Sequence, residues 1–112
     1  MFDFVLIFRS RPRALTPDEL ARRQAAAIAW AQPLREHGTL VQSILVADDG
    51  VAIAADGTST EVGAGAIAAI TVIRASDLEA ATALARRHPG LAFGTSVEVR
   101  PVKPLPTLPV RG

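Results

Sequence analysis

The chain has 112 residues, 49% of them hydrophobic and 21% charged, with a formal net charge of +1. A chain of that length folds as one domain around a single two-layer core, and its charge balance offers no broad basic footprint for nucleic acid. It has no cysteine, which excludes disulfides, thiolate catalysis and cysteine-bound metals.

The first residues, "MFDFVLIFRSR", lack a basic leader, and their apolar run is too short for a signal peptide or a membrane span. A cytoplasmic protein with no membrane partner is the expectation. Phe2–Arg9 is rich in β-branched and aromatic residues: Phe2, Phe4, Leu6 and Phe8 alternate with Val5 and Ile7. Both faces are apolar, which predicts a central strand. "SRPRAL" follows as a loop, and Arg9, Arg11 and Arg13 cluster there. Arginine grips carboxylates and phosphates in a two-pronged fashion, so Arg9 is a candidate ligand-binding residue.

"TPDE" is a strong helix start, with Thr16 as N-cap, Pro17 at the first helical position and Glu19 completing a capping box. The helix is predicted to run to about His37 and to stop at Gly38. Leu20, Ala27, Ile28, Ala31 and Leu34 make its apolar stripe, and Pro33 is expected to bend it. Trp30 sits on the same helix as core or as the wall of a pocket, where its ring suits a flat ligand.

Thr39–Ala47 reads as the next strand, Asp48–Gly50 as a turn, and Val51–Ala55 as a short returning strand. The stretch "ADGTSTEVGAGA" (Ala55–Ala66) poses the sharpest question. A phosphate-binding glycine loop hands its anion to a helix N-terminus, but this one runs into a strand. It reads as a polar hairpin or as the rim of a pocket, with Asp56 and Glu61 as its polar groups.

Ala66–Ala75 is the third major strand, apolar on both faces. "SDLE" repeats the capping pattern with Ser76 and Glu79 and opens a second helix to about Arg87, which "HPG" ends. His88 stands there after two arginines. It reads either as a residue at the helix C-terminus meeting the last carbonyls or as a general base whose pKa Arg86 and Arg87 lower. His37 ends the first helix in the same way. Two histidines without ligand spacing make no metal site, and no cofactor is expected. After the loop "LAFG", Thr95–Val102 alternates Ser96, Glu98 and Arg100 with Val97 and Val99, the pattern of an edge strand wet on one side. The domain closes near Val102, and residues 103–112 form a proline-rich extended tail.

The order β-α-β-(β)-β-α-β predicts an α+β ferredoxin-like sandwich with both helices on one face of one sheet. The other face keeps apolar side chains from the central strands, and a second copy of the chain is its simplest cover.

"MFDFVLIFR", "LTPDEL…W…L…HGTL", "DG…E", "SDLEAATALARRHP" and "SVEVRPV" resemble, in order and spacing, the YCII-related superfamily of small bacterial proteins, and its DGPF branch in particular. The resemblance covers Phe2 to Val102. It implies a cytoplasmic homodimer, a dimeric α+β barrel. Biochemical roles in the superfamily are poorly defined: a few relatives are enzymes acting on small aromatic compounds, and the DGPF branch is often encoded near alternative sigma factors. The motif Asp-Gly-Pro-Phe-x-Glu appears here as "DGTSTE", which keeps Asp56, Gly57 and Glu61. The catalytic His–Asp pair of YCII-type relatives is missing at both positions, and His88 stands where the pre-proline aspartate would be. The functional expectation is a small-molecule binding protein using His88, Trp30, Asp56, Glu61 and Arg9. The alternatives are a non-catalytic regulatory or interaction module, and a cofactor-independent enzyme on a small aromatic compound.

Overall fold

Phe2–Arg9 (β1), Leu40–Leu45 (β2), Ile67–Ala75 (β5) and Ser96–Pro101 (β6) form one antiparallel sheet in the order β2-β5-β1-β6 in the computed structural model, which describes residues 1–9, 14–63 and 66–104. The other elements are the helix Pro17–Glu36 (α1), the short strands Val51–Ile53 (β3) and Ser59–Glu61 (β4), the helix Leu78–Arg86 (α2) and a 3-10 turn at Pro89–Phe93. The order and the pairing are those of the ferredoxin-like α+β sandwich expected from the sequence. Arg11, Arg13 and the tail from residue 105 onward lie outside the described residues.

β1 is the central strand its two apolar faces predict, paired with β5 on one side and β6 on the other. Its even residues Phe4, Leu6 and Phe8 are buried with Ile73 and Ala75 of β5 and Ala81 and Ala85 of α2. Leu6 and Ile73 are wholly enclosed, each worth about 1.5–3 kcal/mol of apolar burial. Val97 and Val99 of β6 face this same core, while Glu98 and Arg100 alternate to the outside. Among the described residues β6 pairs only with β1, and Pro101 at its end has no amide to lose at an edge.

α1 begins as predicted. The Thr16 hydroxyl accepts from the Glu19 amide at 3.1 Å, and the Glu19 carboxylate accepts from the Thr16 amide at the same distance. Gly38 takes φ of 72° at its end, the left-handed conformation that only glycine enters without cost. The apolar stripe differs from the expected one. Ile28 is 64% exposed, and the inward face runs through Arg23, Ala27, Trp30, Ala31 and Leu34. No residue of α1 is fully buried.

Two local expectations need correction. Asp77 caps α2, not Ser76: its carboxylate accepts from the Ala80 amide at 2.8 Å, one residue further along than the capping-box reading placed it. β3 does not return against β2, whose neighbour in the sheet is β5. β3 pairs with β4 instead, Ile53 opposite Ser59 and Val51 opposite Glu61. The tight turn is Ala54–Gly57, where the Gly57 amide donates to the Ala54 carbonyl at 2.9 Å and Gly57 takes φ of 90°.

Candidate functional site

α2 ends against the 3-10 turn, and this junction holds the one histidine set into the body of the fold. The His88 ring lies between two aromatic rings. Phe8 of β1 is 4.4 Å away, centroid to centroid, and Trp30 of α1 meets it edge-on at 4.8 Å. The Trp30 indole N–H donates to the Leu84 carbonyl in the last turn of α2 at 3.3 Å. α1, α2, the 3-10 turn and the end of β1 therefore meet at a single imidazole.

The ring does not serve α2 as the sequence suggested. Its Nδ1 accepts from the Gly90 amide at 3.0 Å and so caps the 3-10 turn that follows. An accepting Nδ1 places the proton of the neutral ring on Nε2. Among the described residues nothing accepts a hydrogen bond from Nε2. Burial lowers the His88 pKa below 6.5, and the Arg23 guanidinium lowers it further. The charged neighbour that matters comes from α1; Arg86 and Arg87 of its own helix are exposed to solvent. Arg22, next to Arg23, is ion-paired with Asp18 at 3.3 Å and stacked over Phe93. Arg23 has no ion-pair partner among the described residues.

Gly90 makes the close approach of the ring feasible. A Cβ there would stand 2.9 Å from Nδ1 and 3.0 Å from Cε1 of His88, and 3.3 Å from the Thr95 Cβ.

The remaining candidates lie elsewhere. Asp56 is at the tip of the β3–β4 hairpin, where its carboxylate accepts from both the amide and the hydroxyl of Thr58, at 3.0 and 2.7 Å. These bonds lower its pKa. The question posed by "ADGTSTE" thus has a local answer: it is a hairpin turn held by Asp56 and Gly57. Glu61 is exposed on β4. Arg9 ends β1 opposite Ser96, on the same face as Val5 and Ile7, which is the face away from His88. The structure therefore brings Trp30 and His88 together, adds Phe8 and Arg23, and leaves Asp56, Glu61 and Arg9 on other surfaces. His37 stays local, its Nδ1 2.7 Å from the Pro33 carbonyl.

An open hollow of about 740 Å³ lies at the far end of β1, lined by Met1, Phe2, Phe4, Leu78, Pro101 and Val102 among others. Its charged groups, Asp3 and Arg74, are paired with each other at 3.4 Å. Its charged side chains are thus matched to each other, whereas the His88 ring keeps an N–H without a partner among the described residues, which makes the His88 junction the stronger candidate. Among the described residues no three of His, Asp and Glu are grouped to hold a metal ion, and no helix is long and apolar enough to cross a membrane.

The YCII-related domain model matches residues 2–106. The chain belongs to the YCII-related family. No curated protein matches it significantly. Within this YCII-related fold, the residue ahead of the proline at the end of α2 is the one framed by two aromatic rings.

Proposed function

We propose that this YCII-related protein is a cytoplasmic homodimer of the DGPF branch that binds a small molecule carrying an acceptor oxygen, such as an aromatic carboxylate, beside His88. The observation that carries this reading is the His88 ring itself. One nitrogen is tied to the Gly90 amide, and the other carries an N–H with no partner among the described residues, on a ring that Trp30 meets edge-on. A donor fixed in direction and flanked by aromatic rings suits a flat ligand with an oxygen to offer. Arg23, close enough to depress the imidazole pKa, adds positive charge for an anionic oxygen. Homodimerisation is supported by the sheet face opposite the helices, where Val5, Ile7, Ile70 and Val72 lie under no element of the described chain.

The test is a titration with benzoate and salicylate, followed by the ¹⁵N resonances of the His88 ring and by melting temperature. Binding shifts Nε2, leaves Nδ1 near its acceptor position, and raises the melting temperature with ligand concentration. Arg23→Gln weakens both effects. Ring resonances that stay put at millimolar probe remove His88 from any such site.

A further inference from the structure

The β3–β4 hairpin stands apart from the rest of the fold. Its two strands pack on each other and make no substantial contact with any other element. Val51 is 67% and Ile53 74% exposed. Only three residue pairs hold it, and an isolated two-stranded hairpin is marginal in water. Directly opposed residues share a face, so Val51 and Ile53 project on the same side as Glu61 and Ser59. The hairpin thus presents a small apolar patch with one carboxylate at its base.

The open face of the sheet offers the matching surface. Strand registers set two rows across it: Ile44, Ile70, Ile7 and Glu98 in one, Gln42, Val72, Val5 and Arg100 in the next. The centre is aliphatic, and the edge strand β6 adds one acid and one base. Neither the Arg100 guanidinium nor the Glu61 carboxylate has a hydrogen-bond or ion-pair partner among the described residues. The hairpin leaves the sheet from β2 and β5, at the edge remote from β6, so Arg100 of its own chain lies across three strand spacings, about 14 Å.

From this match we infer that the β3–β4 hairpin is an exchanged arm: it crosses to a second copy of the chain, lays Val51 and Ile53 on the aliphatic rows of that copy's open face, and sets Glu61 against its Arg100. The inference rests on the homodimer reading above and adds what holds the dimer. A two-fold axis makes the exchange reciprocal, so each copy both gives an arm and receives one. Apolar contact supplies the affinity, and the Glu61–Arg100 pair sets the register of the two copies. Glu98 sits beside Ile7, two residues from Arg100, so a carboxylate that docks off Arg100 meets repulsion.

Sedimentation equilibrium of the full chain tests this with four variants. Ile53→Asp is expected to raise the dimer dissociation constant about tenfold or more, since it puts a charge into the apolar contact. Glu61→Arg and Arg100→Glu are each expected to weaken the dimer about fivefold, and the double variant Glu61→Arg/Arg100→Glu to regain most of the loss. All three positions lie outside the core, and circular dichroism checks that the fold survives. A dimer as tight in Ile53→Asp as in the wild type overturns the exchanged arm and leaves the homodimer standing. Weakening by both single charge reversals without recovery in the double variant overturns the Glu61–Arg100 pairing. A wild-type chain that stays monomeric at high micromolar concentration overturns both the arm and the homodimer.

Discussion

The Gly90 amide donates to His88 Nδ1 across 3.0 Å, and the same glycine leaves no room for a side chain beneath the ring. The three residues His88–Pro89–Gly90 therefore set both the tautomer and the position of the imidazole. Any side chain at residue 90 forces the ring off Trp30 and Phe8 or opens the 3-10 turn.

Gly90→Ala is accordingly expected to destabilise the protein by about 1–3 kcal/mol, the usual cost of overfilling a packed site. Urea unfolding measures the loss, and the His88 ring resonances report whether the Nδ1 bond has gone. A variant as stable as the wild type means that the ring moves aside freely.

Stability is expected to fall as pH drops below about 6.5. The unfolded histidine titrates near 6.5, whereas burial, and then Arg23, holds the folded His88 lower. Between these two values the unfolded chain binds more protons, so stability rises with pH across that window. The His88 contribution is whole above 6.5 and erodes below it until the folded ring also takes a proton. His88→Asn keeps an acceptor for the Gly90 amide but does not titrate. Urea midpoints of the two proteins between about pH 5 and pH 7.5 give the difference; parallel profiles exclude the effect.

Trp30→Phe keeps an aromatic edge near His88 but removes the bond to the Leu84 carbonyl. That carbonyl also receives the Arg87 amide at 3.2 Å, so it is not left unpaired. The expected loss is about 1 kcal/mol, or roughly 4 °C in melting temperature for a chain of this size. A loss several times larger means that the indole also fills space the phenyl ring cannot.

What the sequence made legible was local. The Thr16–Glu19 capping box, the Gly38 stop and the alternation along β6 each depend on residues a few positions apart, and each appears as read. The hairpin was misplaced because Asp48–Asp49–Gly50 and Asp56–Gly57 are equally good turn signals. The fold uses the second, pairing β3 with β4 across Asp56–Gly57. The Ile28 error has a similar origin: the Trp30 bond to Leu84 fixes the rotation of α1, and helical periodicity carries no knowledge of that bond. His88 was noticed for its place before a proline. Its surroundings come from Phe8, Arg23 and Trp30, which are near it only once the sheet has closed.

The pairing of β1 has a consequence for the chain while it is being made. The first strand finds its neighbours only at Ile67–Ala75 and Ser96–Pro101, so neither partner exists until well over half of the protein has been synthesised. Until then "FDFVLIFR" is an apolar segment with unpaired edges, the kind that associates with other chains. This apolar, aromatic segment is thus made before both of the strands that shelter it. Slow translation after β1 therefore lengthens its exposure without giving it a partner.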